Sequence, residues 1–253
     1  MKDSPSASVI DFPKGLADCR SCRCRKWCLL SGLKANELSV VGGLGISTRT
    51  LEKGETLYRM GDRLDVLYIV RSGSLKTSIL TADGDIQILA FILPGELLGA
   101  DAISTERHPA DAVALEDALL CQIPFKRLED TARKYPDLQH QLIRLISQEI
   151  VRDEELLLVL SNLSAEVRLG ACILNLSQRY GRQNPDADSF TLPMTRQDLG
   201  DYTGLALETV SRLLSRFHKQ GILHVEGRKV TVLDKPRLQE MVAPHVSSRL
   251  WEE

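Results

Sequence analysis

Between Leu51 and Ile123 six glycines (Gly54, Gly61, Gly73, Gly84, Gly95 and Gly99) cut the chain into short apolar runs. Runs such as Val66-Leu67-Tyr68-Ile69-Val70 and Ile86 to Leu93 are strand-sized, and turn signals separate them. Short strands at a spacing of roughly 8–12 residues predict a compact antiparallel barrel. Ala82-Asp83-Gly84-Asp85 reads as a hairpin tip, because Asp-Gly supplies the positive φ that tight hairpins need. After Pro124 the texture changes. Pro136 suits the first turn of a helix, and neither Gly nor Pro recurs until Gly170. The expected fold class is α+β: an N-terminal β-roll, a long helix, and a C-terminal helical domain.

Along the long helix Ile143, Ile146, Ile150, Asp153, Leu157 and Leu160 recur at spacings of three and four. That is the a/d pattern of a coiled-coil seam. A helix packed on its own barrel would also use such a face, but the aspartate favours a parallel homodimer. Asp153 would meet its own symmetry mate, and two facing carboxylates make a deliberately marginal pairing. A marginal interface suits a switch, since a small input then shifts the monomer–dimer balance.

Thr195-Arg196-Gln197-Asp198 is a capping-box-like helix start, with Asp in the place of the usual Glu or Gln. A short helix to Thr203, a turn at Gly204 and a second helix from about Ala206 to Lys219 form a helix-turn-helix. On the second helix Val210, Leu213, Leu214 and Phe217 share an inward face. Glu208, Ser211 and Arg212 share another, near the helix N-terminus, where a recognition helix meets base edges. Arg can grip guanine bidentately, Glu can accept from cytosine N4, and Ser can take either role. Leu223 to Val232 reads as a β-hairpin wing. The net charge of −2 does not advertise a nucleic-acid binder. From Thr195 to Lys229, however, six Lys/Arg stand against four Asp/Glu. Thr195, Arg196, Arg216 and Lys219, with Arg228 and Lys229 on the wing, are candidate phosphate contacts. Ser177 to Pro193, polar and broken by Gly181 and Pro185, reads as a loop within this domain.

Four of the six cysteines (Cys19, Cys22, Cys24 and Cys28) fall within ten residues. The segment before them has no apolar signal-peptide core, and no apolar run approaches membrane-spanning length. A cytoplasmic protein without membrane contact is expected, and there clustered thiols signify metal or redox chemistry. Cys19-x2-Cys22-x5-Cys28 offers three thiolates from one loop, with Cys24 as a competitor. A zinc ribbon would add a second CxxC or a His pair, and neither is present. Cys121, at the end of a barrel strand, is a fourth ligand reached through the fold, which suits an iron–sulfur centre. Arg20, Arg23, Arg25 and Lys26 would offset its negative charge. Cys172 reads as a small buried hydrophobe, with a redox-sensitive thiol as the alternative. The five histidines show no ligand spacing. No nucleophile–base set or Gly-rich cofactor loop supports an enzyme.

Cysteine arm, β-roll, long helix and winged helix-turn-helix, in that order, resemble the CRP/FNR superfamily from about Cys19 to Leu238. Met194 to Gly200, Glu208-Thr209-Val210-Ser211-Arg212-Leu213-Leu214, the cysteine spacing and Cys121-Gln122-Ile123-Pro124 look like its FNR branch. The resemblance implies that Cys19, Cys22, Cys28 and Cys121 hold an oxygen-labile 4Fe-4S cluster. Cys24 departs from the family's spacing and is a possible substitute for Cys22. It also implies that Glu208, Ser211 and Arg212 read a palindrome of TTGAT-like half-sites in double-stranded DNA at anaerobic or microaerobic promoters. Ile150 and Asp153 match the family's dimer-switch positions, and Ala82 to Gln87 is a candidate contact with RNA polymerase. Pro94-Gly95-Glu96-Leu97-Leu98 resembles the start of the cyclic-nucleotide phosphate cassette. His108-Pro109 stands where the phosphate-gripping Arg-Ser pair belongs, so no cyclic nucleotide is expected.

The expected division is a cysteine-rich arm over 1–34, a β-roll sensor over 35–133, a dimerisation helix over 134–164, a winged helix-turn-helix over 165–240 and a tail over 241–253. The expected activity is transcription regulation in which low oxygen preserves the cluster, the dimer forms and DNA is bound. A zinc- or thiol-based regulator of the same fold is the alternative.

Overall fold

The structure is a computed structural model describing residues 19, 22–33, 43–160, 163–183 and 189–243. Most of the arm before Cys22, Arg20 included, and the tail beyond 243 lie outside the described residues.

Eight strands form the β-roll: β1 Ser47–Leu51, β2 Thr56–Tyr58, β3 Val66–Ser72, β4 Leu75–Leu80, β5 Ile86–Ile92, β6 Leu97–Leu98, β7 Asp111–Ala114 and β8 Ala118–Pro124. They pair antiparallel in two four-stranded sheets, ordered β1-β8-β3-β6 and β2-β7-β4-β5. The apolar run of β3 has a simple cause. Val66, Tyr68 and Val70 join the barrel interior. Leu67 and Ile69 point the other way, into a second apolar layer with the cysteine arm and the long helix. A strand covered on both faces loses its polar alternation. The β4–β5 hairpin turns over Thr81 to Asp85, with Gly84 at φ 88° and Thr81 N–H donating to the Asp85 carbonyl.

Helix α1 (Phe125–Ala132) leads into α2 (Pro136–Leu160). The α2 helix ends well before Gly170, and a separate α3 spans Ala165–Gln183. Ser164 explains the restart, because its Oγ accepts the Val167 N–H at 3.3 Å, a helix N-cap bond. Gly170 lies inside α3 and breaks nothing. A Cβ there would lie 2.6 Å from the tip of the Met241 side chain, which would have to shift.

The C-terminal domain continues with β9 (Ser189–Thr191), α4 (Arg196–Thr203), α5 (Leu207–Lys219), β10 (Leu223–Glu226), β11 (Lys229–Val232) and α6 (Lys235–Val242). Strands β10, β11 and β9 form one antiparallel sheet, the wing. The expected loop over Ser177 to Pro193 is corrected: its first seven residues extend α3, and Ser189–Thr191 is a strand. Tertiary partners override the local glycine, since Tyr180 stacks on Phe190 at 5.1 Å and Arg179 is locked to the β-roll. This domain's core extends onto the barrel through Ile88, Phe91, Leu93 and Leu115.

Candidate cysteine centre and nucleic-acid interface

The arm winds through two 3₁₀ turns, Arg23–Lys26 and Leu29–Gly32. Leu29, Leu30 and Leu33 bury themselves against Ile69, Ile123 and Leu145, anchoring the arm between barrel and α2. Gln141 of α2 stitches the contact, its Nε2 donating to the Cys28 carbonyl at 3.4 Å and Ser31 Oγ at 2.8 Å. Cys121 occupies the middle of β8, paired with Thr48 and Ile69, not the end of a strand. Its neighbour Leu120 points into the barrel, so the period of two turns Cys121 outward, toward the arm.

Cys19, Cys22, Cys24, Cys28 and Cys121 line one pocket of about 390 Å³, a figure that counts the open space at its mouth. All five are free thiols. Leu30, Ile46, Ile69, Val70 and Ile123 supply apolar walls, and Arg25 and Arg71 supply charge. Among the described basic residues of the arm, Arg23 and Lys26 are exposed and Arg25 lines the pocket. Arg71, at the end of β3, is a cation the sequence reading missed. Among the described residues no three His, Cys, Asp or Glu side chains converge at the spacing of a single chelated ion.

The thiols are electrostatically coupled. Burial pushes the Cys121 thiol up to about 12, and the charges of Cys19, Cys22 and then Cys28 add to it. Burial raises Cys24 to about 11, and its Sγ–H donates to the Arg71 carbonyl at 3.3 Å. Cys28 is likewise raised to about 11 by burial. The five thiols are one coupled group, since Cys24 acts on Cys28 and is bonded to Cys22, and what sets Cys24 apart is its bond to the Arg71 carbonyl. Cys24→Ser is expected to retain at least 80% of the iron of the anaerobically reconstituted protein, and Cys22→Ser less than 20%, by iron assay.

Cys172 is fully buried in the C-terminal core, and burial lifts its thiol to about 12. That environment makes it a packing residue with little thiolate.

On α5 the inward face is as the periodicity predicts, with Val210, Leu213, Leu214 and Phe217 all buried. Each contributes roughly 1.5–3 kcal/mol of burial. Glu208 and Arg212 are exposed on the opposite side near the helix start, and Ser211 is half-buried beside them. Arg196 Nη1 lies 3.5 Å from Ser211 Oγ, linking the start of α4 to this face. The capping box is present: Thr195 Oγ1 accepts the Asp198 N–H at 3.0 Å, and Asp198 Oδ2 accepts the Thr195 N–H at 2.7 Å. Gly204 turns the chain at φ 65°. Arg168 of α3 braces that turn, Nη1 donating to the carbonyls of Thr203 and Gly204 at 3.0 and 3.2 Å.

The phosphate candidates differ in their engagements. Lys219 is exposed, whereas Arg216 pairs with Glu166 at 3.1 Å and Arg228 donates to the Pro193 carbonyl at 3.3 Å. The Thr195 hydroxyl is tied into the capping box. Asp198 also takes Lys76 Nζ of β4 at 2.5 Å. Burial pushes its carboxyl up, but the bonds from Lys76 and Thr195 outweigh this and hold it below the usual range. A depressed carboxylate stabilises the fold above its unfolded value near 3.9, and the gain is lost as pH falls through the folded value. Lys76→Met is therefore expected to lower stability at pH 7, with the gap to wild type closing below about pH 4 in urea melts.

Along α2, Ile143, Ile150 and Leu157 are 57%, 54% and 68% exposed at seven-residue spacing, an apolar stripe open to solvent. Ile146 departs from it and leans on the barrel core. The Leu160 side chain lies outside the described residues. Asp153 is exposed and close enough to raise Asp101 of the β-roll, whose carboxyl burial already pushes up. Among the described residues no helix is long and apolar enough to cross a membrane.

Comparison with known proteins agrees with this architecture. Residues 48–135 match the cyclic nucleotide-binding domain and residues 167–241 the Crp-like helix-turn-helix domain. An anaerobic regulatory protein of Aggregatibacter actinomycetemcomitans is 43% identical over 88% of this chain and 87% of its own. The fumarate and nitrate reduction regulatory protein of Vibrio cholerae is 39% identical over 98% of this chain and all of its own. The solved structure of FixK2 from Bradyrhizobium japonicum superposes with a TM-score of 0.72 at 32% identity, covering 79% of this chain and 98% of that one. The chain belongs to the CRP/FNR family of DNA-binding transcription regulators, and these relatives are regulators, not enzymes.

Proposed function

We propose that the chain is a homodimeric, oxygen-responsive transcription regulator in which Cys19, Cys22, Cys28 and Cys121 hold a 4Fe-4S cluster. The observation that carries this reading is the single pocket between arm and barrel, lined by these four cysteines together with Cys24. A cube of iron and sulfide needs more room between its four thiolates than a single zinc ion does, and a shared pocket provides it. Apolar walls and the two arginines suit a centre with a net negative charge. When bound, such a cluster supplies an oxygen-labile redox centre.

The arm's ligands and Cys121 belong to different segments, so joining them fixes the arm on the barrel. Gln141 then holds the arm against α2, the helix whose apolar stripe would pair with its copy. Pairing sets two α5 helices about 34 Å apart, one helical turn of DNA. Glu208, Ser211 and Arg212 would read the half-sites. Arg196 and Lys219, with Arg216 once freed from Glu166, would bind phosphates. The exposed β4–β5 tip, flanked by Leu80 and Ile86, is the proposed contact with RNA polymerase. A cyclic nucleotide is not proposed as ligand, because Glu96 of the cassette-like stretch is bound by Arg179 and His108 is stacked on Tyr58 at 3.6 Å.

Fluorescence anisotropy on a duplex with two TTGAT-like half-sites tests the reading. Anaerobic protein is expected to bind at least a hundredfold more tightly than the same sample after air. Equal affinity in both conditions would remove oxygen from the account.

A further inference from the structure

We propose that the cysteine arm also acts on the DNA-reading domain within each subunit, through a buried clasp of Glu96 and Arg179 backed by Trp27. This route rests on the sensor reading above and adds a path that bypasses the dimer helix. Its centre is the turn between β5 and β6, Leu93-Pro94-Gly95-Glu96. On one side lies the arm: Trp27 sits so close on Gly95 that a Cβ there would run into the indole ring. On the other side lies α3 of the reading domain.

Glu96 holds Arg179 in a two-point grip, Oε1 accepting from Nε at 2.8 Å and Oε2 from Nη2 at 2.6 Å. Arg179 Nη2 also donates to the Phe91 carbonyl, and Nη1 to Asn175 Oδ1 at 3.2 Å. The guanidinium is 9% exposed, so its charge depends on this carboxylate. Glu96 is itself oriented by the turn, since Oε2 accepts the Leu93 N–H at 2.9 Å. The turn is bonded to the pocket wall: Gly95 N–H donates to the Val70 carbonyl at 2.7 Å and Val70 N–H to the Glu96 carbonyl at 3.2 Å. Val70 and Arg71 line the cysteine pocket, and Cys24 bonds the Arg71 carbonyl. A displacement of the arm therefore reaches Arg179 through one turn.

The clasp is the buried anchor of a larger contact. Lys76 pairs with Asp198, Gln87 Nε2 donates to the Asp201 carbonyl at 2.7 Å, and Phe91 packs on Tyr202 at 4.9 Å. Each ties a β4 or β5 residue to α4, the first helix of the reader. Glu96 and Arg179 are thus positioning residues: they set the orientation of α5 on the barrel, and so the spacing of two readers in a dimer. A palindrome senses that spacing, and an isolated half-site does not.

Glu96→Gln, far from the thiols in sequence and uncharged, is the test, made in the full-length anaerobic holoprotein. Two readouts are taken once circular dichroism shows a folded chain. Coupling is reciprocal, so weakening the clasp should loosen the arm. Hydrogen exchange at the Trp27 and Cys28 amides, both bonded to the Cys24 carbonyl, is expected to speed up at least fivefold. Affinity for the palindrome is expected to fall at least tenfold, and affinity for a single half-site less than twofold. Unchanged exchange at Trp27 and Cys28 overturns the coupling, whatever DNA the protein binds. Equal losses on palindrome and half-site overturn the positioning role. If wild type binds neither DNA, the sensor reading fails while the exchange data still decide whether clasp and arm are coupled. Trp27→Leu supplies the converse: faster exchange in α3 around Arg179 is expected, and unchanged exchange contradicts the route.

Discussion

Arg212→Ala is expected to weaken binding to the palindrome by roughly 30-fold to 10,000-fold. A good bidentate contact to a base is worth about 1–3 kcal/mol, and each dimer carries two copies. Arg212 is exposed near the start of α5, one turn from Glu208 and next to Ser211 on the face opposite the buried residues. The loss should be concentrated at one base position of each half-site, where the variant should also tolerate substitution. Lys219→Ala should behave differently, weakening all sequences alike and lowering the salt slope by about one per copy. Arg216→Ala should cost less, because Glu166 already holds that guanidinium at 3.1 Å. Competition binding with single-base variants of the half-site checks all three. A loss for Arg212→Ala that is uniform across sequences would make it a phosphate contact.

Asp153→Ala is expected to dimerise in air. Facing carboxylates about 6 Å apart at an effective dielectric near 20 repel by up to about 3 kcal/mol. Relieving about 1–3 kcal/mol strengthens the dimer roughly 5- to 150-fold. The apolar stripe of Ile143, Ile150 and Leu157 would supply the attraction. The structure adds a second carboxylate to this picture, because Asp153 also presses on Asp101 of its own β-roll. Asp101→Asn separates the two contributions. If repulsion between symmetry mates dominates, Asp101→Asn stays monomeric in air while Asp153→Ala does not. If both variants dimerise, the intramolecular pair governs the switch. Sedimentation velocity reads either outcome.

The parts of this fold that are legible in the sequence are those whose causes are local. Thr195 and Asp198 cap α4 across three residues, Gly204 turns the chain, and the 3.6 period of Val210 to Phe217 fixes which face of α5 is buried. The spacing of glycines gives the barrel because each strand closes on its neighbour through a short turn. Position along a strand is another matter. Cys121 reads as a strand end because Pro124 follows so soon, yet Pro124 itself pairs with Val66 and the strand continues to it. The loop expected at Ser177 is a helix because Arg179 finds Glu96, a partner 83 residues away that no local pattern reveals. Trp27 on Gly95 and Arg71 at the cysteine pocket are invisible for the same reason. Cys22 and Cys24 are two residues apart and chemically identical, and no sequence pattern reveals that the Cys24 thiol donates to the Arg71 carbonyl.

The most direct measurement of the central claim is the iron and acid-labile sulfide content of anaerobically purified protein, wild type beside Cys121→Ser. About four irons and four sulfides per chain in wild type, lost on admission of air and absent from Cys121→Ser, are the predicted result. Stoichiometric zinc without sulfide, or iron retained in full by Cys121→Ser, would contradict the claim that arm and barrel share one iron–sulfur cluster.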